Sequence, residues 1–163
     1  MASIKPDKKL RAPLLDRLLD DNPQQQREGE RNQHQVLRQL RESVRRDLEQ
    51  LFNTRARCLS TPEKFEQLET SLLHYGLPDI ANYNLQASKS RNEFCRDVER
   101  IILRFEPRIS RARVIAENND RDGTTFSFRV EAVLRATPSP EVVVFDSVLN
   151  PVRQAVDVTE TDQ

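Results

Sequence analysis

From Gln35 the chain sets Val36, Leu37, Leu40, Val44, Leu48 and Leu51 at helical spacing, and Arg38, Arg41, Glu42, Arg45, Arg46 and Glu49 on the opposite side. The pattern predicts a long amphipathic helix with a charged, solvated face, ending at Phe52-Asn53-Thr54-Arg55, where Asn53 suits a left-handed cap. A second helix, opening at Ser88 or Ser90, is predicted from Phe94, Val98, Ile101, Ile102 and Phe105, which recur as one buried stripe. Between the two, Thr61-Pro62-Glu63 reads as a helix start, with Ser60 and Glu63 as a competing capping box. Phe65, Leu68, Leu72 and Leu73 would be its apolar face and Gly76 its stop. Upstream, Leu14, Leu15, Leu18 and Leu19 suit one face of a short helix ended by Asp20-Asp21-Asn22-Pro23. Such a stripe must pack on this domain's own core or on a partner.

The period changes at Phe105-Glu106-Pro107-Arg108-Ile109. Pro107 has no N–H and disfavours helix at Glu106, so the helix stops there and Glu106 and Arg108 flank a stiffened turn. The guanidinium of Arg108 is a planar fork suited to a carboxylate, in this chain or in another. Beyond the turn, Val114 and its neighbours predict a first strand, and Asn118-Asn119-Asp120-Arg121-Asp122-Gly123 a hairpin loop. In the next strand Phe126, Phe128, Val130, Ala132, Leu134 and Ala136 alternate with Thr125, Ser127, Arg129, Glu131 and Arg135, which gives one buried face and one wet face. The continuous Val142-Val143-Val144-Phe145 predicts a third strand buried on both faces. Val152, Val156 and Val158 read as a final edge strand, open to strand addition unless a tail or helix covers it.

The fold class predicted is α+β, with N-terminal helices packed on a C-terminal three- to four-stranded antiparallel sheet. Residues 1–13 read as a flexible basic tail, 14–158 as one domain and 159–163 as a disordered acidic tail.

Composition narrows the chemistry. Basic and acidic residues balance at 26 each, so bulk charge gives no reason to expect nucleic acid. Arg41, Arg45 and Arg46 cluster, yet without the interleaved aromatics that nucleic-acid binding would use. Only five of the 26 basic residues are Lys, and the Arg excess is as well explained by codon usage as by a protein interface. Cys58, Cys95, His34 and His74 lack metal-ligand spacing. With three glycines there is no phosphate loop, and no nucleophile elbow or His-Glu-x-x-His is present. No apolar stretch follows the N-terminal lysines, and none approaches a membrane span, so a soluble cytoplasmic protein is expected.

Three segments in order carry a resemblance. They are Ser43-Val44-Arg45-Arg46-Asp47-Leu48-Glu49 running to Leu51-Phe52-Asn53-Thr54-Arg55, then Ser71-Leu72-Leu73 with Tyr75-Gly76-Leu77-Pro78-Asp79, then Phe105-Glu106-Pro107-Arg108. Leu15-Asp16-Arg17-Leu18 fits ahead of them. Together, over residues 14–158, they resemble the TssE family of type VI secretion baseplate subunits. That family is similar to the gene-25-type wedge proteins of contractile-tailed phages, sometimes labelled lysozyme-like. The resemblance implies a non-enzymatic scaffold in a cytoplasmic baseplate docked near the inner membrane. It implies the wedge and baseplate partners TssF, TssG and TssK and the sheath proteins TssB and TssC. It implies no cofactor, metal, catalytic residue, nucleic acid or small-molecule substrate. Glu106, Pro107 and Arg108 become protein-binding residues, and Asn53, Tyr75, Gly76 and Asp79 structural turn residues. The rival reading is a peptidoglycan hydrolase, for which the chain offers no defined pair of carboxylates.

Overall fold

The computed structural model describes Leu18, residues 33–57, 66–80, 83–117, 125–136 and 139–150, Arg153, and residues 155–161. Over these the chain forms helix α1 (Gln33–Asn53), two short 3-10 helices (Glu66–Thr70 and Leu72–His74) and helix α2 (Ser88–Phe105). Four strands follow: β1 (Ile109–Glu117), β2 (Phe126–Leu134), β3 (Glu141–Asn150) and β4 (Ala155–Glu160). They pair antiparallel in chain order, β1-β2-β3-β4, which is the expected α+β architecture with four strands. The helix start at 60–63, Phe65, the hairpin loop at 118–123, Val152 and the 1–13 tail lie outside the described residues, as do Leu14, Leu15 and Leu19. Leu18 is helical and exposed. No helix among the described residues is long and apolar enough to cross a membrane.

Both helices pack on the same face of the sheet. Leu40, Val44, Leu48 and Leu51 of α1 are buried, as are Phe94, Val98 and Ile102 of α2. Phe128 of β2 sits between the helices, with its ring centroid 5.7 Å from Phe52 of α1 and 6.0 Å from Phe94 of α2. The inner face of β2 is buried at every second residue from Phe126 to Leu134, as its alternation predicts. Each buried Phe, Leu, Ile or Val side chain contributes about 1.5–3 kcal/mol, so these stripes fix which face the helices cover.

Among the described residues no helix covers the outer face, and this corrects the reading of β3. Val143, Val144 and Phe145 are buried, but Val142 is 57% exposed and Val148 41%. Val143 and Phe145 face the helices, whereas on the other face only Val144 is buried and Val142 and Val148 meet water, so burial on both faces holds at Val144 alone. The same face holds Arg129 between Asp146 (2.7 Å) and Glu117 (2.9 Å).

The edge of β4 is covered, not open. The Asn53 side chain accepts from the Val156 N–H (2.8 Å) and donates to the Val156 carbonyl (2.9 Å). Arg45 donates to the Val158 carbonyl (3.0 Å), and Arg41 bridges Glu160 of β4 and Glu141 of β3. Arg41, Arg45 and Asn53 are multiples of four residues apart, so they form one row of α1 laid along β4. Two of the arginines expected on a solvated face therefore cap a sheet edge, and strand addition at β4 would have to displace α1. At the other edge, Glu99 of α2 accepts from the Val114 N–H (2.8 Å), and the Ala116 backbone faces the buried Cys95 sulfur. Ordered structure also reaches past residue 158, because β4 runs to Glu160 and the Thr161 N–H donates to Val144 (3.0 Å).

The helix expected toward Gly76 is only 3-10 over its described part. Thr70 and Ser71 donate their hydroxyls to the carbonyls of Gln67 (3.1 Å) and Leu68 (2.6 Å), and Ser71 caps the second 3-10 turn by accepting from Leu73 N–H. Such local bonds compete with the α-helical ladder. Leu72 is 86% exposed and Leu73 40%, so these two members of the expected apolar face are not buried. Gly76 has φ +113°, and a Cβ there would lie 2.3 Å from the Thr54 carbonyl oxygen. That close approach lets Leu77 exchange backbone hydrogen bonds with Thr54 and Ala56, each 2.8 Å, which ties this segment to the end of α1.

Candidate functional site

The turn at Glu106-Pro107-Arg108 joins the end of α2 to the start of β1. Glu106 caps α2, its N–H donating to the Ile102 carbonyl at 2.8 Å. Its own carbonyl then accepts from Ile109 N–H (3.1 Å), so the chain turns within three residues. Pro107 stands exposed at the apex, since it has no N–H to satisfy. Arg108 is held on both sides, because its carbonyl also accepts from Arg135 N–H at 2.8 Å.

The fork of Arg108 is filled from within the chain. Nε donates to Glu106 Oε1 (2.6 Å) and Nη2 to Glu106 Oε2 (2.5 Å), a bidentate pair. Nη2 also donates to Asp47, and Nη1 to the Ser43 hydroxyl (3.0 Å). Ser43 and Asp47 lie one turn apart on α1, so a single guanidinium ties the α2–β1 junction to that helix. Counting one proton from Nε, two from Nη2 and one from Nη1, four of the five donors are taken. Burial acts on the Arg108 guanidinium most strongly and opposes its charge, but the bonds to Glu106 and Asp47 outweigh it and hold the group firmly protonated. Glu106 is buried at 4% exposure, whereas the Asp47 side chain remains 35% exposed.

Beside this clamp lies a cleft of about 340 Å³. Leu48, Leu51, Phe105 and Tyr75 give it apolar walls, and Asp47, Glu106, Pro107 and Arg108 its polar side. Tyr75 and Phe105 meet edge to face at 5.3 Å. Burial, then the charges of Asp47 and Glu106, push the Tyr75 phenol above its ordinary range. Both Glu106 oxygens are occupied by Arg108, and no group of three or more His, Cys, Asp or Glu residues that could hold a metal occurs among the described residues.

The profile of the baseplate wedge protein gp25 family matches residues 38–139, from α1 through β2 and the whole of this clamp. The chain belongs to that family. The match supports a baseplate-type structural role. The chain is also 34% identical over 99 residues to the anti-adapter protein IraD of Salmonella arizonae, covering 61% of this chain and 72% of that one. No solved structure matches.

This chain's own geometry gives the remaining sequence-predicted residues more specific work. Tyr75 lines the cleft, Gly76 permits the backbone approach at Thr54, and Asp79 faces Arg55 at 4.0 Å. Asn53 stays in the last turn of α1 and clasps β4, in place of the left-handed cap expected of it. Sequence reasoning missed Ser43 and Asp47 as members of the site. Their signal was modest: two small polar residues, i and i+4, bordering the Val44–Leu48 stripe.

Proposed function

We propose that the protein is a non-enzymatic baseplate subunit of a type VI secretion system that docks on the wedge subunits through the cleft beside Glu106, Pro107 and Arg108. The observation that carries this reading is the clamp itself, in a chain of the baseplate wedge family. One arginine braces α1 against the α2–β1 junction and leaves an apolar-walled cleft with the exposed Pro107 at its side. A braced site keeps its shape when empty, which lowers the ordering cost of association. TssF, TssG and TssK are the partners in this reading, in a cytoplasmic baseplate near the inner membrane. The outer sheet face, which no described helix covers and where Val142 and Val148 are exposed, is turned to the sheath proteins TssB and TssC in this reading, since α1 already occupies the β4 edge. A relative named as an anti-adapter protein fits a chain that works by contact and not by turnover.

The test is capture of TssF and TssG homologues from the same cell by wild type and by Arg108→Ala, each checked by circular dichroism. Capture by wild type and its loss in a folded Arg108→Ala is the expected result. Equal capture would move the interface away from the turn. Failure of the wild type to capture either wedge subunit, with clearing of cell-wall material by the purified protein, would replace the scaffold with a hydrolase.

A further inference from the structure

The charge left over in the cleft says what kind of side chain it takes. Among its lining residues Asp47 and Glu106 carry two negative charges and Arg108 one positive, which leaves a net −1. The positive charge is the least available, because four of its five donors already point at Glu106, Asp47 and Ser43. The negative charge of Asp47 is accessible, at 35% side-chain exposure. An incoming carboxylate would find little of the Arg108 fork free and would meet the exposed Asp47 carboxylate. An incoming cation would find Asp47, with the ring pair of Tyr75 and Phe105 nearby. The volume sits at the small end of ligand sites, which span roughly 300–1,000 Å³, so it suits one long side chain better than a helix.

We infer that the cleft receives one basic side chain of the partner protein, an arginine or lysine, with its aliphatic stem on the part-exposed rings of Tyr75 and Phe105 and its cationic head against Asp47. The inference rests on the docking reading above and adds the chemistry of the partner's anchor. Long basic side chains are suited to such a place because their stems cover apolar surface while their heads seek charge. Arginine is favoured over lysine where aromatic rings and a carboxylate occur together.

The test is nuclear magnetic resonance titration of the full chain with four blocked amino-acid amides, those of arginine, lysine, leucine and glutamate. Arginine and lysine amides should shift the backbone resonances of Leu48, Leu51, Tyr75 and Phe105, and leucine should bind more weakly. Asp47→Asn, which keeps an acceptor for Arg108, should weaken the arginine amide about fivefold and leave leucine unchanged. Leucine binding as tightly as arginine, a preference for glutamate, or silence of the cleft to every amide would overturn the inference. So would binding that emerges only after residues 1–32 are removed or a dimer is diluted apart, which would name the chain's own segment or a second copy as occupant. Capture experiments separate the two ideas. If folded Asp47→Lys captures TssF and TssG as wild type does while Arg108→Ala does not, the charge inference fails and docking stands. If wild type takes the arginine amide but captures neither subunit, the basic-anchor chemistry stands and the assignment to that wedge fails.

Discussion

Asn53 meets Val156 as a neighbouring strand would, its side-chain amide accepting from the Val156 N–H at 2.8 Å and donating to the Val156 carbonyl at 2.9 Å. The helix thereby supplies the pairing that the free edge of β4 lacks. Asn53→Ala should leave both backbone groups unpaired and cost about 1–3 kcal/mol, read as a lower urea midpoint at unchanged slope. Hydrogen exchange at the Val156 amide should speed up. An unchanged midpoint and unchanged exchange would show that the clasp contributes nothing to the edge.

The Arg108 clamp predicts strong non-additivity. Arg108→Ala strands Glu106 as a buried carboxylate and should cost about 3 kcal/mol. Glu106→Ala combined with Arg108→Ala removes that stranded charge, so the double variant should be more stable than Arg108→Ala alone. Arg108→Lys should not restore stability, because an ammonium cannot span Glu106, Asp47 and Ser43 together. Chemical denaturation of wild type, Glu106→Ala, Arg108→Ala and the double variant closes the cycle, and simple additivity would refute the clamp.

Ser147 offers a stabilising change. Its hydroxyl lies on the inner face of β3 at 1% exposure and has no hydrogen-bond partner among the described residues. Ser147→Ala should raise stability by about 1 kcal/mol, because an unpaired buried hydroxyl is costly. A lower melting temperature in the variant would mean that the oxygen is satisfied in solution.

Asp146 makes stability depend on pH. The bond from Arg129, more than any other influence, holds its carboxyl below its ordinary value of 3.8, and the Thr161 hydroxyl adds to this. A group depressed on folding binds protons more readily in the unfolded chain, so it stabilises above about pH 3.8 and its contribution fades as pH falls through the folded value. The acid-side slope of stability should therefore be shallower in Asp146→Asn. A folded-state carbon titration of Asp146 with its midpoint at or above 3.8 would contradict this.

Most of the framework was legible because burial has a local period. The stripes from Leu40 to Leu51 and from Phe94 to Phe105, and the alternation of β2, follow from one-sided packing whatever they pack against. Pro107 marked the junction of the helical and strand halves from its missing N–H alone. The segment after residue 65 was misjudged because hydroxyl-to-carbonyl bonds at Thr70 and Ser71 compete with the ladder that leucine spacing suggested.

The sequence by itself determined the two helices, the strand-rich second half, and the acid and base held on a rigid turn. Only the tertiary structure decided where their charges went. Arg108 reaches Asp47 across 61 residues of chain and Asn53 reaches Val156 across 103. No local pattern records such a pairing, because it depends on which face of a helix lies against which edge of a sheet. That choice is made when both helices bury their apolar stripes on one face of the sheet. It closes the β4 edge, spends the Arg108 fork inside the chain, and leaves Asp47 beside an apolar cleft.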